Sequence, residues 1–378
     1  MLRNRLFFSQ TYKCENLVRT ACNLKPKAKL KTILPALLIA FSAAATAANK
    51  EGTLASVDLK TNEKEHFTVI AHRGASGYLP EHTLEAATLA FSLRPDFIEQ
   101  DVVITKDDVP VVLHDIHLET VTNVEDVFPE RHRDDARYYA RDFTLEELRT
   151  LQIHERTGND GKQVFENRYR GKLASFKIAT LDEHLELISE LNRQFDAQVG
   201  VYPEVKSPAF HAKEGIDASK VVIDSLNSYG FGGDDGNSYL QCFDFKEIKH
   251  IRENLGYKGK VVMLIGENEW DESDTDYDWV RTQEGMREVA SYANGIGPWL
   301  GHVLNNEAMA QGMIEAAAWL NYAHQNKLTI HPYTYRHDAL PTGMTGEQIL
   351  EVLDNVVHAD GVFTDHLVPV LTWREKQN

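Results

Sequence analysis

From residue 69 onward, short apolar runs alternate with stretches of helical periodicity. The runs are Val69–Ala71, Phe97–Ile104, Val109–Leu113, Val199–Val205, Tyr239–Cys242, Val261–Ile265, Gly295–Gly297, Leu328–Pro332 and Gly361–Phe363. Helical spacing falls between them, at about Thr83–Leu93, Leu181–Leu191, Ile216–Tyr229, Phe245–Leu255, Met286–Tyr292, Ala308–Gln325, Gly346–Asn355 and His366–Lys376. Thr180 with Glu183 three residues on has the form of a capping box and fixes one helix start. Alternating βα units imply a parallel sheet covered by helices. Roughly eight strands is the number that closes a barrel. The pattern therefore predicts an α/β fold, a (β/α)₈ TIM barrel, with an open doubly wound sheet as the alternative.

Residues from about 116 to 176 break this rhythm. They are rich in charge and turn formers, among them Arg131, Arg133, Asp134, Asp135, Gly158 and Gly161. One helix is predicted at Thr144–Leu151, with Thr144 as cap and Glu147 at the third position. The segment reads as an insertion after the second βα region, lying over the barrel mouth. Two roles stay open for it: shaping substrate choice, or a solvated excursion with no such part. No repeat or linker divides residues 60–376, so residues 48–376 are expected to form one domain.

The first 47 residues follow another pattern. Lys25, Lys27, Lys29 and Lys31 form a basic run, an apolar stretch follows from Ile33 to Phe41, and Ala45-Thr46-Ala47 ends it. That is the form of a cleavable export signal, and it predicts a periplasmic protein. The apolar stretch is too short for a membrane span, which needs roughly 20 residues. The segment holds eight basic residues and one acid, so its removal deepens the formal charge from −17 to −24. Such acidity argues against non-specific binding to nucleic acid or to anionic membrane, and no stable membrane insertion is expected. Cys14 and Cys22 leave with the signal. Cys242 remains alone, with no partner for a disulfide, and its place at a strand end suggests a buried thiol.

Candidate chemistry concentrates at strand ends. His72 and Arg73 follow Val69–Ala71. Glu99 and Asp101 alternate on one face of their strand, because side chains two apart point the same way. His114 follows Val111–Leu113, Glu204 and Lys206 alternate at the end of Val199–Val205, and Gln241 and Phe243 do so on the next strand. A barrel gathers such groups at one rim. Three carboxylates supply hard oxygen ligands suited to Ca²⁺ or, less well, Mg²⁺. Arg73 can fork onto a phosphate and Lys206 can add a point charge. Two histidines can serve as base and acid on opposite sides of a phosphorus. His117, His132, His154, His250 and His324 read as ordinary surface residues.

As a set, these residues resemble the glycerophosphodiester phosphodiesterases. The matching stretches are His72-Arg73-Gly74, Pro80-Glu81-x-Thr83, Glu99-x-Asp101, His114-Asp115, Tyr202-Pro203-Glu204-x-Lys206, Gln241-Cys242-Phe243-Asp244, His331-Pro332-Tyr333-Thr334 and Phe363-Thr364-Asp365. They cover residues 66–373, and the insertion is similar to that of the periplasmic branch. The resemblance implies hydrolysis of glycerophosphodiesters to sn-glycerol 3-phosphate and an alcohol such as choline, ethanolamine or glycerol. It implies Glu99, Asp101 and Glu204 as calcium ligands, His72 and His114 as the acid/base pair, and Arg73 and Lys206 as phosphate holders. Phe243 and Trp299 would pack on the glycerol. Family likeness also suggests a homodimer. His82 stands where the family often has Asn, and is expected to cap the first helix rather than touch substrate. Two competing readings remain: a related membrane-lipid phosphodiesterase, and a non-catalytic periplasmic binding protein on the same barrel.

Overall fold

The computed structural model describes residues 66–377 apart from 159 and 342. The proposed export signal and both of its cysteines lie outside the described residues. Nine strands are present among these residues: β1 (Thr68–Ala71), β2 (Phe97–Ile104), β3 (Pro110–Val112), β4 (Gly200–Val205), β5 (Tyr239–Cys242), β6 (Lys260–Ile265), β7 (Gly295–Pro298), β8 (Thr329–Ile330) and β9 (Gly361–Thr364). Eight of them run parallel in the order β8-β7-β6-β5-β4-β2-β1-β9. The remaining seam between β8 and β9 is bridged by the Asp360 amide on the Ile330 carbonyl at 2.9 Å and the Phe363 amide on the Pro332 carbonyl at 3.0 Å. The ring is thus a TIM barrel, as the alternation of runs predicts.

The ninth strand corrects the sequence reading. The run at 109–113 is not a barrel strand, since β3 lies antiparallel on β2, with Val102 opposite Val112. It forms a hairpin that rises past the rim and comes back. The insertion therefore sits inside the second βα connection, between β2 and helix Leu181–Phe195, rather than after a completed unit.

Helix starts follow side-chain chemistry. Thr180 accepts from the Glu183 amide while Glu183 returns to the Thr180 amide, and Thr144 with Glu147 does the same. Each box satisfies two amides that a helix start otherwise leaves unpaired. Thr83 caps helix Leu84–Leu93. One helix is not as predicted. In place of Ala308–Gln325 there are two short pieces, Asn306–Ala310 and Leu320–Gln325. Gly312 separates them at φ +78°, a conformation that ends helices and that glycine adopts without a Cβ penalty.

Three apolar clusters divide the interior. The largest lies between barrel wall and helices, with Ile98, Val201, Leu240 and Val261 facing Leu185, Val222 and Ile248. A second fills the insertion, with Leu118, Phe143, Leu148, Leu151 and Phe176 packed on Val103 and Val111 of the hairpin. The insertion is thus a folded unit with its own core. The third plugs the barrel centre and consists of Ile70, Phe97, Tyr202, Val262 and Phe363. Tyr202 lies flat on Tyr239 with ring centroids 4.9 Å apart, and Phe363 meets Tyr202 edge-on at 4.9 Å. Cys242 is free and buried, as expected.

Candidate functional site

The plug decides where the polar groups go. Side chains alternate along a strand, so residues two beyond a plug residue also face the barrel axis, one layer nearer the rim. Phe97 is followed by Glu99 and Asp101, Tyr202 by Glu204 and Lys206, Ile70 by His72, and Phe363 by Asp365. Register aligns them, with Asp101 opposite Glu204 and Glu204 opposite Gln241. The result is a pocket of about 630 Å³, mouth included, lined by His72, Arg73, Glu99, Asp101, His114, Glu204, Phe243 and Trp299 among others. Lys206 does not line it but lies beside it, its Nζ 2.7 Å from Glu204 Oε1 and 5.5 Å from the Phe243 ring centre. All nine residues singled out from sequence therefore converge.

His114 arrives by a different route from the one expected. It follows the antiparallel β3, not a barrel strand, and the returning hairpin ties the Leu113 amide to the Asp101 carbonyl at 2.9 Å. That places His114 at the rim next to Asp101.

Each histidine is held from behind. His72 Nδ1 is 2.6 Å from Asp365 Oδ1, and His114 Nδ1 is 2.6 Å from Asp115 Oδ1. A carboxylate there accepts from Nδ1–H and leaves Nε2 as the free ring nitrogen. Burial lowers the His72 pKa to about 4, aided by Arg73 and opposed by Asp365. Burial, then Arg73 and Lys206, lowers that of His114 to about 3 against the pull of Asp115. Before substrate binds, both rings are neutral at pH 7.

Arg73 has a left-handed backbone, φ 57°, and Gly74 follows at φ 76°. This tight turn aims the Arg73 amide at Glu99 Oε2, 2.6 Å away. The Arg73 side chain donates to Glu81 at 3.0 Å and lies 3.4 Å from Asp101 Oδ2.

The carboxylates are crowded. Burial, and then the negative charge of Asp101, push the Glu99 carboxyl well above its ordinary range. Burial also raises Glu204, with Lys206 opposing. Burial pushes Asp101 upward too, but His82, His114 and Lys206 outweigh it and hold it well below the usual range. Asp101 Oδ1 is buried with no hydrogen-bond partner. A divalent cation fits this arrangement, because it would relieve the like charges and satisfy an orphaned oxygen with hard oxygen donors. Glu99, Asp101 and His82 bring one donor atom each to within 4.8 Å of one another. Glu204 stands outside that grouping, engaged by Lys206.

His82 is the residue that sequence reasoning placed wrongly. Thr83, not His82, caps the first helix. His82, at φ 62°, is buried and its Nε2 lies 2.8 Å from Asp101 Oδ2. His184 Nε2 donates to its carbonyl at 3.1 Å. Asp115 and Asp365 were visible in the motifs but had no assigned part. Asp365 could have been found by stepping two residues on from Phe363. Trp270 and Glu272 also line the pocket, and Trp270 meets Trp299 edge-on at 5.4 Å. Their loop after β6 carries no periodic signal. No described residue of 116–176 is among those that line the pocket.

The sequence profile of the glycerophosphoryl diester phosphodiesterase family matches residues 72–368. A glycerophosphodiester phosphodiesterase of Haemophilus influenzae is 39% identical over 355 residues, which is 89% of this chain and 96% of the relative. One from Treponema pallidum is 31% identical over 79% of this chain and 88% of its own. Among solved structures, an Oleispira antarctica phosphodiesterase in complex with the product sn-glycerol-3-phosphate superposes with a TM-score of 0.53 at 19% identity, covering 82% of this chain and 96% of the other. That last likeness is one of fold. With the profile spanning most of the chain, the protein belongs to the glycerophosphoryl diester phosphodiesterase family.

Proposed function

We propose that the protein hydrolyses glycerophosphodiesters such as glycerophosphocholine, glycerophosphoethanolamine and glycerophosphoglycerol to sn-glycerol 3-phosphate and an alcohol. The observation that carries this reading is the pocket in which two histidines, each tied through Nδ1 to a carboxylate, face three further carboxylates and Arg73.

Glu99, Asp101 and Glu204 would hold a calcium ion, with His82 next to Asp101. Three carboxylates without a fixed octahedral frame suit calcium better than magnesium. When bound, the cation neutralises charge that builds on the phosphate oxygens. Arg73 and Lys206 add fixed positive charge to the same end of the pocket. A hydroxyl, of water or of the glycerol itself, attacks phosphorus and gives its proton to His72 Nε2. The bond from phosphorus to the head-group oxygen breaks, and that oxygen takes a proton from Nε2 of His114, the ring that the anionic phosphate charges on binding. Attack by the glycerol hydroxyl gives a cyclic phosphate, which water then opens with the same two rings in exchanged roles. Phe243 and Trp299 offer apolar faces to the glycerol carbons.

The basic run, apolar stretch and Ala-x-Ala of residues 25–47 support export and a periplasmic location. N-terminal sequencing of the protein recovered from periplasm tests that part, and an intact residue 1 there would refute it.

The activity test is release of glycerol 3-phosphate from glycerophosphocholine, with calcium and then with excess chelator. Calcium-dependent release is expected. No release under either condition refutes the activity. Release that ignores the chelator keeps the activity and removes the metal.

A further inference from the structure

The insertion lines none of the pocket, yet two of its arginines, Arg168 buried and Arg156 half-buried, lie directly behind it. Arg156 donates from Nη1 to Asp115 Oδ2 at 2.6 Å and from Nη2 and Nε to the Glu81 carboxylate at 2.6 and 3.1 Å. Arg168, its side chain 4% exposed, donates from Nη2 to Asp365 Oδ2 at 2.6 Å. Its Nε and Nη2 also reach Asp338 at 2.9 and 3.2 Å, and its guanidinium lies 3.6 Å above the Phe165 ring. Asp115 and Asp365 are the carboxylates that hold His114 and His72. Each histidine therefore ends a chain of imidazole, carboxylate and guanidinium, and in both chains the guanidinium comes from the insertion.

We propose that Arg156 and Arg168 are positioning residues, through which the insertion sets the ring orientation and tautomer of His114 and His72. This rests on the reading of those histidines as the acid/base pair.

A carboxylate held only by a histidine can rotate and offer either oxygen. Here one oxygen of each aspartate is committed to a guanidinium and the other to Nδ1. The remaining partners are Thr120 on Asp115 at 3.1 Å and Arg336 on Asp365 at 3.0 Å. With the carboxylate fixed and ionised, Nδ1–H is the favoured tautomer and Nε2 faces the reaction. Arginine suits the task because its planar fork spans two carboxylates at once: Asp115 with Glu81, and Asp365 with Asp338. A lysine ammonium supplies the charge without the fork. Glu81 is also the partner of Arg73, so the Arg156 chain reaches the phosphate-holding end of the pocket as well. The bland alternative is that the two arginines only anchor the insertion to the barrel.

The test uses the mature protein and the variants Arg168→Gln, Arg168→Lys, Arg156→Gln and Arg156→Lys, with ¹⁵N-labelled histidine. The first readout is the ring tautomer from long-range ¹H–¹⁵N spectra, which needs no substrate. We expect Nδ1-protonated His72 and His114 in the parent. We expect a mixture at His72 alone in Arg168→Gln and at His114 alone in Arg156→Gln, with the Lys variants in between. The second readout is kinetic: a fall in kcat of about 10–100-fold with little change in KM, the usual size for a partner one step behind a reacting group. Unchanged tautomers in both Gln variants would overturn the proposal, whatever their thermal stability. So would parent-like kcat accompanied by a lowered melting temperature, which is the signature of anchoring. If the parent itself releases no glycerol 3-phosphate, the activity reading fails separately, while the tautomers still decide whether the arginines position the rings.

Discussion

Replacing Glu204 by Gln separates the stability of the empty site from its affinity for a cation. Glu204 is buried, with Lys206 Nζ at 2.7 Å, and it lies opposite Asp101 on the neighbouring strand. Gln keeps the shape, and its amide oxygen can still accept from Lys206. What goes is one negative charge among three that burial already penalises. Because burial raises the Glu204 pKa in the folded protein, the group binds its proton more tightly there than in the unfolded chain. Its contribution is therefore fully present below the unfolded value of about 4.3 and lost as pH rises through the raised folded value, so carrying this charge destabilises the metal-free fold. The variant without metal should melt at the parent temperature or above it. Metal acts the other way. At a calcium concentration of about 100 times Kd, binding stabilises the parent by about 2.7 kcal/mol, and a hundredfold weaker site gains roughly 0.4 kcal/mol at that concentration. With about 2–4 °C of melting temperature per kcal/mol, the calcium-induced rise should shrink from about 5–10 °C to about 1 °C. Circular dichroism melts of parent and variant, in chelator and across a calcium titration, measure both quantities. A metal-free variant that melts lower, with an undiminished calcium-induced rise, would refute the placement of Glu204 among the ligands and the crowding argument together.

Three further outcomes follow from the site. His114→Ala should retain the calcium-induced rise in melting temperature but lose about 10²–10⁴-fold in kcat. In the parent, the limb of kcat/KM on which the base is lost should centre near pH 4, because burial and Arg73 lower His72 to about 4; a limb near 6.5 would show that this ring is not the base or is not buried as seen. Gly74→Ala should destabilise by about 2–4 kcal/mol in chemical denaturation, since φ is +76° and a Cβ would lie 2.9 Å from the Ala86 carbonyl carbon. A stable, fully active Gly74→Ala protein would show that the turn aiming the Arg73 amide at Glu99 tolerates a side chain.

What could be read from the chain was whatever repeats with a period. β2 and β5 fall on the predicted residues, and helix Gly346–Asn355 does so too. The period of two carried further than secondary structure: once Phe97 and Tyr202 are taken as barrel plug, Glu99, Asp101 and Glu204 have to face the rim. Readings failed where direction, not periodicity, decides. The run at 109–113 has a strand's composition whichever way it runs, and only its short link to β2 hinted at a hairpin, since parallel strands need a crossover of a dozen or more residues. The helix over 308–325 failed at Gly312, where one residue in a left-handed conformation outweighs good spacing on both sides.

The insertion and His82 were opaque for a different reason. Arg156 and Arg168 sit in loops among many charged neighbours, and nothing local distinguishes an arginine bound to a buried aspartate from one in water. The distinction comes from the partner, 41 residues away for Asp115 and 197 for Asp365. His82 looked like a cap because it precedes a helix by two residues. Its positive φ turns the side chain away from the helix amides and toward Asp101, and Thr83 takes the capping place. A histidine and a neighbouring threonine competing for one cap is resolved by geometry: the Thr83 hydroxyl accepts the Ala86 amide at 3.1 Å, which leaves the imidazole free to reach the carboxylate. Position in sequence thus identified the polar groups that meet at the rim, whereas the groups that orient them became visible only when distant segments were brought together in space.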